Sequence, residues 1–451
     1  MNKTMNGTFS THRRSLMRRL PDGLILLAGG REVPRNYDVN YVFRQGSDFL
    51  WLSGVEEPGC ALLMDPKRGS TTLFMPRIDD HHRVWEGHVP SPAEARRLFG
   101  VERVAYTDEL PAALSRARRG HRRAYADPAA LKSWSGALRG LKGSPAVLGD
   151  AIEELRAVKD AGELALMRRA NEVSGAAHSE VMRRARAGMR EYQVQALFEA
   201  PCIAAGLRHL AYPSIVATGV NGAVLHYRRN DALLRRGQLL LIDAGAENRG
   251  YAADITRTFP VSARFTRRQA DVYDVVLGTQ KALIDAARPG VNSAEWHVLS
   301  MRLIAEGLRG LGLLRGSTDA LVETGAVRLF YPHGIGHLLG LDVHDGLGGK
   351  SRRLPNPTKA PVRFVARLEA GMAVTVEPGV YFIEALINSQ AQRAKHRAHV
   401  DFSRAERWLD FGGIRIEDDV LVRPSGPPLN LTTVPKERRA VEELRKAAGG
   451  A

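Results

Sequence analysis

The segment "LLLIDAGAENRGYAADITRTF" (239–259) ends an apolar run on Asp243 and returns through Asp254. It reads as two strands joined by a turn around "AENRG". A turn centred between Asn248 and Arg249 would set Asp243 directly opposite Asp254, with Cβ atoms about 4.5–5.5 Å apart on one sheet face. Two carboxylates that close repel, so a proton or a cation must lie between them. Further candidate ligands follow. "YPHGIGHLLGLDVHD" carries His333, His337 and His344 among glycines that let backbone approach closely. "MAVTVEPGVYF" is a β-branched run ending on Glu377, and "GGIRIEDDVLV" puts Arg415 and Glu417 on one strand face with Ile414 and Ile416 on the other. Asp243, Asp254, Glu377 and Glu417 together carry about −4, which two divalent ions would neutralise. An oxygen-rich set with one imidazole suits Mn²⁺, with Zn²⁺ or Co²⁺ able to substitute. "HGIGH" lacks the glutamate of the zinc-protease helix motif, and its glycines make a poor helix.

These residues need a scaffold. The chain has 451 residues, which predicts two domains, and its apolar content of 44% is ample for packed cores. Residues 1–150 mix short β-like runs ("GLILLAG", "DFLWLSGV", "CALLMD", "STTLFMP") with helical stretches ("SPAEARRLF", "DELPAALSRA"), an α/β pattern. "GLKGSPAVLGD" (140–150) has the composition of a linker. Residues 151–451 open on a long helical pattern from Asp160, continue with a second helix in "EYQVQALFEAPCIAAG", and then turn to strands, with helices at 267–287 and 293–312.

The net charge is +16, but Lys and Arg are scattered, which predicts a solvated basic surface and no nucleic-acid partner. Two cysteines give no disulfide framework and fit a reducing cytosol. No apolar run reaches the length of a membrane span. The expectation is a soluble cytoplasmic protein.

The four ligand-bearing segments, with "SIVATGVNGAVLHY" and its His226, resemble those of the pita-bread metallopeptidases, within them the proline-specific branch of aminopeptidase P and prolidase. "RQGSDFLWLSGVEEPGC" resembles that branch's N-terminal domain. The resemblance implies an α/β, creatinase-like N-terminal domain followed by a pseudo-two-fold α+β catalytic domain, in a homo-oligomer (dimer or tetramer). It implies that Asp243 binds one metal, Asp254 and Glu417 bridge two, and His337 and Glu377 complete the second. His226, His333 and His344 would line the substrate cleft, and Arg415 would support Glu417. Two metals would generate a hydroxide at neutral pH, Glu377 would shuttle its proton, and the metals with His333 or His344 would stabilise the oxyanion.

The bond before proline has no N–H, so a pocket must hold the ring instead. His226 with Tyr212 or Tyr227 is the expected wall, and Asp48 is the expected anchor for the substrate's free amine. "RQGSDFLWLSG" and Trp85 resemble aminopeptidase P. The insertion 383–413, basic through Arg393, Arg397, Arg404 and Arg407, resembles prolidase, and Arg404 could hold a dipeptide's carboxylate. The expected substrate is a peptide with an Xaa-Pro N-terminus, cleaved as by an aminopeptidase. The alternatives are a dipeptidase and a non-catalytic binding relative.

Overall fold

The computed structural model of the protein describes residues 3–346, 349–356, 358 and 362–446. It divides into two compact units. One takes the chain up to Arg156 with Asp160–Gly162 and Gly349–Ser351, and the other takes the remainder.

The first unit is built on a five-stranded sheet in the order Arg103–Tyr106, Ser70–Met75, Ala61–Asp65, Gly23–Ala28, Arg123–Ala126. The middle pairings are antiparallel and the two outer ones parallel. Leu24, Leu26, Leu63 and Phe74 turn one face of it onto Leu110 and Leu114 of the helix Leu110–Ala117. Two segments differ from their expected states. "DFLWLSG" is the helix Ser47–Ser53, closed by Gly54 in the left-handed region at φ 66°. Its apolar residues from Phe49 to Leu52 are all buried, so its composition reads equally as a buried strand. The linker-like 140–150 already contains the start of the helix Pro145–Arg156, because proline suits the first turn, where its missing N–H costs nothing.

The second unit repeats one device twice. Leu239–Asp243 pairs antiparallel with Thr256–Pro260 on one side and Ile215–Thr218 on the other. Ala373–Val376 pairs with Asp418–Leu421. The register of the first hairpin corrects the expectation. Asp243 faces Thr256, not Asp254. Asn248 pairs with Tyr251, so Arg249 and Gly250 form the two-residue turn, both with positive φ (52° and 84°). That is the mirror-image turn which matches strand twist. It moves the register by two residues, so Asp254 stays on Asp243's face but one step along the diagonal. Gly245 is required there, since a Cβ would meet the Ala253 carbonyl at 1.8 Å.

The two halves are sewn together at these strands. Glu417 N–H donates to the Thr256 carbonyl at 3.0 Å. Thr258 and Arg415 exchange hydrogen bonds. Arg257 and Asp418, both fully buried, form an ion pair at 2.7 Å, and Arg257 also donates to the carbonyls of Thr256, Glu417 and Val434. A buried guanidinium with its donors satisfied in this way is held firmly; stripped of its partner it costs about 3–5 kcal/mol. The long helices Arg267–Ala286 and Ser293–Gly310 pack behind the sheets, and Ile414 and Ile416 point into the core they form, as their alternation predicts.

Candidate metal centre and catalytic cleft

The acid and histidine segments converge on one cleft of about 540 Å³ in the second unit. The Asp243 carboxylate accepts from Arg415 at 2.5 Å. Tyr212 Oη lies 2.7 Å from Asp243 Oδ1 and 2.6 Å from Asp254 Oδ1. A phenol has one proton to donate, so one of these two short contacts demands a further positive charge or proton. Asp254 Oδ2 lies 3.4 Å from His337 Nε2, and His337 Nε2 lies 3.6 Å from Glu377 Oε1. Glu417 Oε2 accepts from Thr256 Oγ1 at 2.7 Å. Ligand atoms of Asp254, His337 and Glu417 all fall within 4.8 Å of one another.

Local structure fixes these positions. Residues 335–339 are not helical; they run beside the strand Ala373–Val376, with Thr375 N–H on the His337 carbonyl and Glu377 N–H on the Ile335 carbonyl. Gly336 permits this, because a Cβ there would meet the Thr375 carbonyl at 2.0 Å. His337 Nδ1 faces the Leu338 carbonyl at 3.1 Å, which fixes the ring; against the desolvation of its burial, Asp254 and Glu377 raise the imidazole, so that without metal Nε2 holds a proton toward the carboxylates, and losing it would leave the lone pair a metal ligand needs. Burial pushes the carboxyls of Asp243 and Glu417 upward and that of Glu377 up to about 7, while His337 draws Asp254 below its ordinary value against the effect of its own burial. Buried carboxyls that resist ionisation together are suited to divalent cations, and the donor set is oxygen-rich with one imidazole.

His333 and His344 line the cleft; burial lowers His333 to about 3, and partial desolvation with the neighbouring His337 charge lowers His344, whose side chain is exposed, to about 4. Both His333 nitrogens are engaged, Nδ1 with the Gly334 carbonyl and Nε2 with Tyr381 Oη, each at 2.8 Å. The His344 ring packs edge-on against His337 with centroids 4.4 Å apart. His226, exposed, forms part of the wall.

Several expected partners lie elsewhere. Tyr227 turns away, its hydroxyl donating to Glu191 at 2.9 Å. Tyr212 does line the cleft, but its hydroxyl is taken up by the two aspartates. Arg415 reaches Asp243 and Tyr381 directly and Glu417 only through the Thr256 hydroxyl. Arg404 lies against Gly312, and no residue of the basic insertion is among those lining the cleft. The insertion is neither lid nor solvated helix; it is three short helices pinned to the core by Ile387, Val400 and Ala405. In the first unit Asp48 is engaged by Arg156 at 2.6 Å, so it is no lone anion, and Trp85 is 72% exposed beside His81.

Sequence reading missed Asp419, whose carboxylate accepts from Asp254 N–H at 3.0 Å and from Asn171 at 2.8 Å, the buried Tyr381 that bonds His333 and Arg415, and Arg363 on the cleft. The run "EDD" inside an apolar strand was the available signal for Asp419, since consecutive acids there cannot all face water.

This geometry matches a known class. Residues 165–424 match the model of metallopeptidase family M24, and residues 9–125 match the aminopeptidase P N-terminal domain. The chain belongs to metallopeptidase family M24, whose members are hydrolases that use divalent metals; its second unit carries the pita-bread fold of that family. It is 36% identical to the Xaa-Pro dipeptidase of Homo sapiens, over 98% of this chain and 93% of the human one. It is also 36% identical to a probable Xaa-Pro aminopeptidase of Sordaria macrospora, over 89% and 86%. Among solved structures it resembles aminopeptidase P from E. coli with the inhibitor Pro-Leu, at 31% identity, a TM-score of 0.85 and 99% coverage of both chains. No described helix is long and apolar enough to cross a membrane.

Proposed function

We propose that the chain is an Xaa-Pro exopeptidase that removes the first residue from peptides with proline in second position. The observation that carries this is the convergence of Asp243, Asp254, His337, Glu377 and Glu417 in one cleft, in a chain whose relatives are proline peptidases of both kinds. Asp243 would hold one divalent ion, Asp254 and Glu417 both ions, and His337 and Glu377 the second, with Mn²⁺ the best match to the donors and Zn²⁺ or Co²⁺ as substitutes. Bound there, such a pair supplies a nucleophilic water at neutral pH and polarises the scissile carbonyl.

The remaining work belongs to the chain. Glu377, at the end of its strand beside the proposed metal positions, takes the proton of the attacking water and returns it to the proline nitrogen. His344, neutral and exposed on the His337 ring, donates an N–H to the developing oxyanion. His333 keeps its two partners and fixes Tyr381 and Arg415 beside Asp243. His226 flanks the proline ring. A cytosolic working place and an oligomeric assembly go with this reading, the former supported by two buried, unpaired cysteines.

The second reading, a dipeptidase, is favoured by Arg363, an exposed guanidinium on the cleft wall that could pair with a dipeptide's carboxylate. The test compares an Xaa-Pro dipeptide with an Xaa-Pro-Yaa tripeptide under Mn²⁺, using the wild type and Arg363→Ala. An aminopeptidase prefers the tripeptide and responds alike on both. A selective loss on the dipeptide, about 10- to 100-fold, makes it a dipeptidase. Failure to cleave either with metals bound overturns the proposal.

A further inference from the structure

A cavity of about 940 Å³ in the second unit shares no lining residue with the catalytic cleft. Val298, Met301 and Leu329 give it an apolar wall, and Leu386 of the insertion closes it from the other side. Charged groups of both signs line it: Glu323 at the end of the helix Thr318–Glu323, Arg328, and Lys395 on the helix Gln390–His396. Glu323 and Lys395 are exposed, and neither forms an ion pair among the described residues. His396 also lines the cavity. It is 2% exposed, and its Nδ1 has no hydrogen-bond partner. Burial, with Lys395 and His399 nearby, holds its imidazole below the ordinary value. That nitrogen is shielded from the cavity, so what the cavity can hold is set by its apolar wall and its exposed charged groups.

We propose that this cavity is a second binding site, separate from the peptidase cleft, for a zwitterion with apolar side chains: a short peptide or a free amino acid. The carboxylate would meet Lys395, the ammonium Glu323, and the side chains the apolar wall. The class follows from the lining, because an apolar pocket with both signs of charge rejects purely anionic and purely apolar ligands alike. The cavity also adjoins the chemistry through the chain. Pro332 lines it while His333, the next residue, lines the cleft, and Leu386 follows closely on Tyr381, which holds His333. Occupancy therefore bears on the catalytic side chains without blocking the substrate, a coupling between sites.

Calorimetry on the metal-loaded enzyme tests this with three probes: trileucine, L-leucine, and N-acetyl-leucinamide, which has neither charge. Saturable binding of trileucine is expected, weakened at least about tenfold by Lys395→Glu, an exposed position whose replacement leaves folding intact. Basal turnover of Lys395→Glu should stay within about twofold of wild type, and bound trileucine should change kcat while leaving KM in place. Leucine binding as tightly as trileucine identifies the amino acid as the ligand; weak leucine binding identifies the peptide. The proposal is overturned if neither probe binds, if the uncharged probe binds equally well, if Lys395→Glu changes nothing, or if trileucine raises KM alone, which would put it in the cleft. Heat of binding does not depend on which bond the enzyme cuts, so failure here is distinguishable from failure of the Xaa-Pro reading.

Discussion

Arg415 and Asp243, brought together across 172 positions of sequence, meet at 2.5 Å with side chains only 5% and 11% exposed. The guanidinium spends its other donors on Tyr381 and Thr256, so it orients the carboxylate from a fixed frame. Arg415→Ala leaves Asp243 buried without its cation. A loss of about 3–5 kcal/mol in metal-free stability is expected, together with weaker metal binding. Denaturant titration and metal analysis of the dialysed protein would check both; unchanged metal content would remove Arg415 from the centre.

Asp254 stands between His337 and Tyr212. Asp254→Asn removes a charge and a strong donor from a position proposed to touch both ions. Turnover should fall at least about 10³-fold, near 4 kcal/mol, with metal content falling too. Near-normal activity with metals retained would rule out a shared ligand there.

Glu377 offers a pH test in the metal-free protein. Its folded value of about 7 lies above the ordinary 4.5, so the folded state keeps a proton that the unfolded state has released. Its contribution to stability is full below about 4.5 and is lost as pH rises through about 7. Glu377→Gln stays neutral throughout. The variant should therefore gain on the parent by about 3 kcal/mol between pH 4.5 and 7.5, read from paired denaturation curves. A difference that is flat across this window would show that the carboxyl ionises freely.

His226 and Arg404 form a matched pair of expectations. His226→Ala should weaken Xaa-Pro cleavage while metals stay bound, because it lines the cleft without meeting the acids. Arg404→Ala should act alike on dipeptides and tripeptides, within about twofold, because its guanidinium lies on Gly312. Metal loss in the first, or a dipeptide-selective loss in the second, would contradict the assignment.

The Arg257–Asp418 pair fastens the halves. Arg257→Leu should cost about 3–5 kcal/mol, visible as a lowered Tm, because Asp418 would keep its charge in a dry interior with Lys436 as its remaining cation. A Tm within a degree or so of wild type would mean that the halves are held by apolar packing alone.

Local rules made much of this visible in the sequence. Acids ending apolar runs marked Asp243 and Glu377, and alternation set Ile414 and Ile416 inward. Asp254's face was legible although its partner was not, because a turn moved by one residue shifts the pairing by two and leaves the face unchanged. Long-range choices were not visible. Nothing local says that Arg415 will prefer Asp243 to its neighbour Glu417, or that Tyr212 will turn its hydroxyl onto two carboxylates. The insertion misled because charge describes a segment's solvent side, whereas its path was set by Ile387, Val400 and Ala405 entering the core. "DFLWLSG" misled because a fully buried run carries no period.

Thr256 and Glu417 touch at 2.7 Å from positions 161 residues apart, and Arg257 reaches still further, to the Val434 and Pro435 carbonyls. During synthesis the first three acidic positions proposed for the centre must therefore wait until Glu417 and the segment through Pro435 have emerged before the last one can close it. A product truncated before Glu417 lacks the fourth proposed acidic position and is expected to be inert, so peptide cleavage waits on the arrival of that last strand.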